Sequence, residues 1–183
     1  MALIYMVRHG RAAAGIDRHL DPGLDDLGRQ QAERAAMELD EQMPAKAPIL
    51  SSPLARARET AQPLARRWSS DVVIEPRVAE IPYPTTDLRE RRRWLQGAMT
   101  GGWMNLDPDM IAWRDALVEC VATLEQDTAV FCHFIAINVA VGAAREDDRL
   151  VIFAPDNGSI TVFDNEGGNL SLVEIGRTAH THV

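Results

Sequence analysis

The chain has little of what marks secreted, membrane-spanning or nucleic-acid-binding proteins. It has two cysteines in 183 residues, no apolar run of membrane-spanning length, and a net charge of −8. Cys120 and Cys132 both lie in apolar surroundings, which indicates small buried residues and not a disulfide framework. The acidic balance argues against a general nucleic-acid binder, which normally carries a basic surface. We therefore expect one cytoplasmic domain over residues 1–183, without a signal peptide or membrane segment.

The most informative stretch is the largely apolar run at 3–7, which ends in Arg8, His9 and Gly10. A strand that is buried on both faces has a near-continuous apolar sequence. Such a strand delivers its next residues to the carboxyl edge of the sheet, where open α/β sheets bind their ligands. An arginine beside a histidine at that edge indicates an anion site that also contains a nucleophile.

Strands and helices alternate through most of the chain, which predicts an α/β fold. Ser52 and Pro53 are typical of an N-cap and a first helical position, and Pro63 is expected to kink or divide the helix that they open. The helix at 108–125 is expected to bury Ile111, Ala112, Leu117 or Val118, Val121 and Leu124. Another helix is predicted to open at 24–32, with Asp25 or Asp26 as its N-cap, and to end before Pro44. Further helices are predicted at 88–96 and 135–144, and other strands at 47–51, 71–74, 128–132, 157–164 and 170–175, the last two as a hairpin.

The least regular stretch, at 75–102, predicts an insertion at about 76–106 that acts as a lid over a site. Its helix carries Arg89, Arg91, Arg92 and Arg93, for which a solvated face is the favoured interpretation. A charged lid that contacts a polyanionic substrate is the alternative. Trp103 is expected in core or lid packing, and its reach toward the site stays open.

Four side chains follow different predicted strands: Arg8 and His9, then Arg56, then His133. If the sheet is parallel, these strand ends share one edge and the side chains converge. Two arginines and a histidine would bind a dianionic phosphoryl group and stabilise its charge during transfer. The remaining histidine would attack phosphorus, and the nearby positive charge should lower its pKa and favour the neutral form.

Glu80, which follows the third strand, is the best-placed carboxyl group for proton transfer. It would protonate the leaving oxygen and later deprotonate the attacking water. Arg11, Arg18 and His19 lie in the loop after the first strand. These three either contact an anionic substrate or are solvated.

The residues resemble the histidine phosphatase superfamily, with its phosphoglycerate-mutase-like fold. Arg8-His9-Gly10 looks like the family's signature, and His133 stands at its second histidine. The segments 27–32, 51–57 with Thr60, 157–160 and 178–180 are similar to the family's first helix start, second arginine motif, late strand and C-terminal tail. The resemblance implies a three-layer α/β/α sandwich with a mostly parallel central sheet.

The same resemblance implies a role for each matching residue. His9 is the phosphoacceptor, Arg8, Arg56 and His133 form the phosphate pocket, and Glu80 is the acid/base. Neither a metal nor another cofactor is expected, the partner is a small phosphorylated substrate, and a homodimer is a base-rate expectation.

The sequence also departs from the family pattern. Phe134 stands where a small residue is common after the second histidine, so its ring either narrows the phosphate site or turns into the core. Arg11 replaces a common acidic residue, and Gly15 and Asp17 occupy the region of a usual asparagine. These changes put mutase-type substrate contacts in doubt.

The favoured function is a metal-independent phosphomonoesterase that acts through phosphohistidine. A phosphoglycerate mutase and a phosphohistidine-protein phosphatase share this chemistry and differ in acceptor or substrate. A pseudo-enzyme that binds phosphorylated ligands is kept open by Phe134. A metallohydrolase using His9, His133 and Glu80 is disfavoured, because the two arginines would repel a cation and no typical ligand spacing occurs.

Overall fold

The computed structural model describes residues 1–15 and 18–179, so Asp17 and His180 of the motifs above lie outside the described residues. Strands and helices alternate along most of this part of the chain. The strands are β1 Leu3–Arg8, β2 Ile49–Ser51, β3 Val72–Ile74, β4 Thr128–Cys132, β5 Ile160–Asp164 and β6 Ser171–Glu174. The α-helices are α1 Asp26–Gln42, α2 Ala55–Trp68, α3 Leu88–Ala98, α4 Pro108–Ala122 and α5 Phe134–Arg145.

The described strands form one sheet in the order β3-β2-β4-β1-β5-β6. β1, β2, β3 and β4 pair in parallel, whereas β5 and β6 are antiparallel to their neighbours. The expected mostly parallel sheet and terminal hairpin are therefore confirmed. Because β1, β2 and β4 run in one direction, the residues that follow them leave the sheet at one edge.

Alternate side chains of β1 enter two separate cores. Ile4 and Met6 pack in a cluster with α4 and α5, whereas Tyr5 and Val7 pack in a cluster with α1 and α2. Helices thus cover both faces of the sheet, which confirms the three-layer sandwich. Burial on both faces also explains the near-continuous apolar sequence of β1.

The start of α1 agrees with the sequence, whereas the start of α2 does not. Asp25 caps α1 by accepting a hydrogen bond from the Gly28 backbone N–H at 2.7 Å. The prediction that Ser52 caps α2 is wrong, because the helix begins at Ala55 with Leu54 as its N-cap. The Ser52 hydroxyl instead contacts His133, which directly follows β4. A contact between distant elements therefore decides the role of Ser52, and not the local preference of serine for the N-cap.

Three further expectations are corrected. Pro63 does not divide α2, which continues to Trp68 while packing against α1. α4 ends at Ala122, and it exposes Ala112 while burying Met110 and Cys120. The burial pattern of α4 follows its contacts with α5 and the neighbouring 3₁₀ turn at 76–78.

The irregular segment contains α3, which extends two residues beyond the predicted helix and has no fully buried residue. One face of α3 packs against the α4–α5 core through Trp94, Leu95, Ala98 and Met99. None of the described helices combines the length and apolar composition needed to cross a bilayer. Cys120 and Cys132 are buried and unpaired among the described residues, as expected.

Candidate active site

His9 lies at the centre of the carboxyl edge, immediately after β1. Its backbone N–H donates to the Cys132 carbonyl at 3.1 Å, which ties the residue to β4. The ring Nδ1 lies 2.7 Å from the Gly10 carbonyl oxygen. Because a carbonyl oxygen only accepts, Nδ1 carries the proton and Nε2 of the neutral ring holds a lone pair.

Arg56, in the first turn of α2, faces that lone pair. Its Nε–H donates to His9 Nε2 at 3.1 Å, and the side chain is buried. Thr60 lies one turn later on the same face, as expected from the sequence. Its hydroxyl donates to the Arg56 carbonyl at 2.6 Å and accepts from the Gly10 N–H at 3.0 Å. α2 therefore holds both the arginine and the turn that carries the histidine.

Gly10 is required by a close backbone approach. A Cβ at Gly10 would lie 2.3 Å from the Gly28 carbonyl oxygen, and a Cβ at Gly28 would lie 2.1 Å from the Arg11 carbonyl oxygen. Contacts this short are not possible without backbone movement. The two glycines thus let the loop after β1 pack directly on the first turn of α1.

His133 follows β4 and lies beneath His9, with 5.2 Å between the two ring centroids. The His133 side chain is fully buried, and its Nε2 lies 2.7 Å from the Ser52 hydroxyl. Its Nδ1 is buried and has no hydrogen-bond partner among the described residues. Buried polar atoms normally have partners, so this nitrogen is an unsatisfied polar group at the base of the site.

Arg8 supplies a second unsatisfied donor. Its Nη1 donates to the Pro155 carbonyl at 2.8 Å, whereas its buried Nε has no partner in the described part of the chain. The guanidinium carbon lies 5.1 Å from the centroid of the Phe134 ring, a cation–π contact. Phe134 belongs to the buried core cluster with α4 and α5, as one of the two alternatives expected, and it also packs on Arg8 and lines the cavity described below.

Glu80 is half-buried beside the two arginines. Its Oε1 accepts a hydrogen bond from the Ile81 N–H at 3.0 Å. Burial raises the pKa of Glu80, and the Ile81 hydrogen bond and the charges of Arg56 and Arg8 oppose that shift. A raised pKa keeps more of this carboxyl group protonated near neutral pH, which suits a general acid.

Both histidines are held in the neutral form. Burial lowers the pKa of His9 well below its usual range, and Arg56 and Arg8 lower it further. The pKa of His133 is lowered by burial first, then by Arg56, His9 and Arg8. The direction expected from the arginines is confirmed for His9, although loss of solvent contributes more than their charge. Arg8 stays charged at neutral pH, because burial lowers its pKa only to about 10.

A cavity of about 450 Å³ opens directly against His9. Arg8, Arg56 and Glu80 line its inner end, and α3 contributes Leu95 and Met99 farther out. A second cavity of about 390 Å³ shares four lining residues with the first, namely Pro22, Arg56, Glu80 and Tyr83. His9, Arg8, Arg56 and Glu80 are therefore brought together beside a space that can hold a substrate, whereas His133 contacts His9 but lines neither cavity.

The other predicted substrate contacts have different positions. Arg11 and Arg18 line the 450 Å³ cavity, and Arg11 Nε forms an ion pair with Asp25 at 2.5 Å. His19 lines the neighbouring cavity, where its Nδ1 accepts from the Asp21 N–H at 3.0 Å. Arg92 lines the main cavity, so α3 does not present only a solvated arginine face.

Trp103 does not reach the site. Its buried ring lies 6.1 Å from the Trp113 ring and 5.5 Å from the Arg114 guanidinium carbon. Those contacts place it beside α4, away from the lining of the main cavity. The Trp103 N–H also donates to the Asp148 carbonyl at 3.0 Å, which fixes the backbone at this position.

Sequence reasoning missed Tyr83 and the roles of Ser52 and Asn157. Tyr83 lies between the two cavities, with its ring 5.8 Å from the Trp94 ring and 4.9 Å from the Arg91 guanidinium carbon. Asn157 Nδ2 donates to the His9 carbonyl at 2.9 Å. The sequence offered one signal for such residues, namely that polar side chains of the site recur just after strands. This signal could have identified Ser52 but not Tyr83.

Comparison with known sequences identifies the family. A model of the histidine phosphatase superfamily (branch 1) matches residues 4–178. The 2,3-bisphosphoglycerate-dependent phosphoglycerate mutase of Thermoplasma acidophilum is 28% identical across 93% of this chain and 90% of the relative. A glucosyl-3-phosphoglycerate phosphatase of Mycolicibacterium vanbaalenii is 40% identical, but over 42% of this chain and 35% of that protein. Other curated relatives are matched over 36% to 51% of their own length.

Solved structures share the fold along the whole chain. The phosphoserine phosphatase of Entamoeba histolytica in complex with 3-phosphoglyceric acid has a TM-score of 0.75 at 22% identity and covers 98% of this chain and 99% of its own. A mycobacterial glucosyl-3-phosphoglycerate phosphatase that complexes with VO3 has a TM-score of 0.69 at 22% identity, over 98% and 100% of the two chains. The near-complete family match and the site at the sheet edge lead to one conclusion: the chain belongs to the histidine phosphatase superfamily.

Proposed function

We propose that the protein is a metal-independent phosphatase that hydrolyses a phosphomonoester through a phosphohistidine on His9. The observation that carries the proposal is the buried, neutral His9 ring, whose Nδ1–H is held by Gly10 and whose Nε2 lies 3.1 Å from Arg56 Nε. The Nε2 lone pair lies at the cationic end of the cavity and accepts the Arg56 Nε–H, and it becomes free to attack when a phosphoryl oxygen takes over that N–H. A phosphoryl group bound there would lie in reach of that lone pair.

The first half-reaction transfers the phosphoryl group to the enzyme. His9 Nε2 forms a bond to phosphorus as the bond between phosphorus and the ester oxygen breaks. Glu80 donates its proton to the leaving oxygen, so the alcohol departs neutral. Arg8, Arg56 and His133 bind the phosphoryl oxygens, with the unpartnered Arg8 Nε and His133 Nδ1 as the groups that gain partners.

The second half-reaction hydrolyses the phosphohistidine. The Glu80 carboxylate removes a proton from water, the water oxygen bonds to phosphorus, and the nitrogen–phosphorus bond breaks. Inorganic phosphate and neutral His9 are released, and Glu80 is again protonated. Two arginines and the carboxyl group thus serve both halves of the cycle, and no step requires a redox change.

Two features favour a site without a metal ion. Arg8 and Arg56 place two positive charges where a cation would have to bind. Within residues 1–15 and 18–179, histidine, cysteine, aspartate and glutamate side chains form no cluster of three suited to a metal ion. The charge of the two arginines and the lack of grouped metal-ligating side chains in this part of the chain both favour a site that binds a dianion.

The decisive experiment is hydrolysis of p-nitrophenyl phosphate in the presence of EDTA, with the wild type and His9→Ala compared. We expect chelator-resistant turnover in the wild type and its loss in the variant, with the fold checked by circular dichroism. Phosphohistidine is labile in acid, so the samples are quenched without acid. Mass spectrometry of these samples should show one added phosphoryl group on the wild type only. Near-wild-type turnover by His9→Ala would refute the mechanism.

A mutase is the second candidate, because the Thermoplasma relative that matches most of the chain carries that name. Mutase and phosphatase share the first half-reaction and differ in whether a second substrate oxygen or water accepts the phosphoryl group. Incubation with 3-phosphoglycerate and 2,3-bisphosphoglycerate separates them. Release of inorganic phosphate supports the phosphatase, whereas 2-phosphoglycerate without phosphate release supports the mutase.

A further inference from the structure

Ser52 and His133 form a buried contact that no step of the proposed reaction uses. Ser52 directly follows β2, His133 directly follows β4, and both side chains are fully buried. The Ser52 Oγ lies 2.7 Å from His133 Nε2, although the two residues are 81 positions apart in the chain. The parallel pairing of β2 with β4 brings them together.

The hydroxyl proton of Ser52 decides which group donates in this contact. The Ser52 Oγ already accepts a hydrogen bond from the Leu54 N–H at 3.2 Å. A serine hydroxyl accepts through its lone pairs and has one proton to donate. Within residues 1–15 and 18–179, His133 Nε2 is the acceptor that this proton meets.

His133 also has a single proton to place. Burial lowers the pKa of His133 well below its usual range, and the charge of Arg56 lowers it further. The ring is therefore neutral, with a proton on one nitrogen and a lone pair on the other. The position of that proton depends on whether Ser52 donates or accepts.

The two assignments differ in how many buried groups they leave without a partner. If His133 Nε2 carried the proton, the Ser52 proton would have no acceptor in the described part of the chain, and the His133 Nδ1 lone pair would have no donor. If Ser52 donates to Nε2, only the Nδ1–H stays unsatisfied. Each buried polar group without a partner is costly, so the second assignment is favoured.

We propose that Ser52 is a positioning residue that fixes the tautomer of His133. The Ser52 hydroxyl donates to Nε2, and the ring proton therefore lies on Nδ1. No bond of Ser52 forms or breaks during the reaction, and Ser52 does not touch the substrate. Its effect on catalysis passes through the imidazole ring, whose centroid lies 5.2 Å from that of His9.

This inference rests on the proposed function, in which His133 Nδ1 binds a phosphoryl oxygen. An N–H at that nitrogen attracts the negative charge of the oxygen, whereas a lone pair repels it. The tautomer held by Ser52 thus gives the phosphate end a neutral donor in addition to the charged arginines. The other tautomer would replace that donor by a repulsive group.

¹⁵N NMR of the wild type with labelled histidine rings tests the tautomer without any turnover. A ring nitrogen with a lone pair resonates far downfield of a protonated one, and couplings to the carbon-bound ring hydrogens distinguish Nε2 from Nδ1. The His133 signals are identified by their loss in His133→Gln. We expect the lone pair on Nε2, and a lone pair on Nδ1 would overturn the inference.

Ser52→Ala and Ser51→Ala form a matched pair, because the two serines are adjacent and both are fully buried. The Ser51 hydroxyl donates to the Ser52 carbonyl at 2.9 Å, so its loss removes a buried hydrogen bond of another group. Ser52→Ala should move the His133 proton toward Nε2 and lower kcat by about 100-fold, as expected when a donor to the transferring group is lost. Ser51→Ala should keep the wild-type tautomer and most of the rate.

An unchanged tautomer in Ser52→Ala, or equal losses of rate in the two folded variants, would overturn the role of Ser52. If Ser52→Ala does not fold, the wild-type spectrum decides alone. A lone pair on Nε2 without His9-dependent turnover would support the tautomer and refute the phosphatase. His9-dependent turnover with the lone pair on Nδ1 would retain the phosphatase and refute this inference.

Discussion

The phosphate end of the site and segment 76–106 are built in different ways. His9, Arg56 and His133 come from distant parts of the chain and are held by contacts between elements, such as His133 with Ser52 and Thr60 with Gly10. Segment 76–106 is held both by its own residues and by the packing of one face of α3 on the α4–α5 core. Arg91 donates to the Thr85 carbonyl at 3.0 Å, and Tyr83 packs on Trp94.

The two regions are therefore expected to affect different properties, namely catalysis at the phosphate end and substrate preference at segment 76–106. The phosphate end depends on strand ends whose positions the whole sheet determines, so single changes there should affect catalysis strongly. Segment 76–106 contributes one face of α3, a helix without fully buried residues, so single changes there should alter substrate preference moderately. The following variants test that ranking.

Arg56→Lys is expected to have the largest effect. Lysine keeps the charge but cannot reproduce the guanidinium fork or the Nε donor that faces His9. Loss of a preorganised donor to the transferring group should lower kcat by about 100-fold to 1,000-fold. Arg58→Lys, on the exposed side of the same helix, is the control and should retain wild-type rates. Equal rates for both variants would remove Arg56 from the mechanism.

Glu80→Gln is expected to have the next largest effect, and its size should depend on the leaving group. Removal of a general acid should slow an alkyl phosphate by about 100-fold. p-Nitrophenyl phosphate needs less protonation and should be slowed less. Equal slowing of the two esters would indicate another acid.

The pH profile gives a second measurement on Glu80. Burial raises the pKa of this carboxyl group, so its protonated form persists to higher pH than in an exposed glutamate. Alkyl phosphate turnover should therefore decrease as pH rises through the Glu80 pKa, where the acid is lost. Glu80→Gln should lack this alkaline decrease, and an unchanged profile would contradict the assignment.

Asp87→Ala is expected to have the smallest effect. The Asp87 carboxylate caps α3 by accepting from the Arg89 and Glu90 N–H groups at 2.8 and 3.1 Å. Loss of such a cap costs about 1 kcal/mol of helix stability, so KM for p-nitrophenyl phosphate should rise by about fivefold or less with kcat unchanged. Amide exchange in the first turn of α3 should also become faster. Asp87→Asn retains a capping oxygen and should behave like the wild type.

Residues that directly follow strands could be placed from the sequence, and residues defined by packing could not. Arg8, His9 and His133 each follow an apolar run, so their common edge was predictable. Ser52 follows a strand too, but its hydroxyl has two competing uses, and local chemistry pointed to the wrong one. Tyr83 lies in a stretch without periodicity, where no local signal indicated that its ring separates two cavities.

The sequence by itself determined the fold class, the sheet edge and the family, because apolar strands and the residues at their ends are adjacent along the chain. Tertiary structure alone decided which nitrogen of His9 holds the lone pair, where Phe134 packs, and which face of α3 meets the substrate cavity. Those features depend on contacts between residues 47 to 148 positions apart, such as Arg56 with His9 and Asn157 with His9. Local patterns carry no information about such pairs until the sheet assembles them.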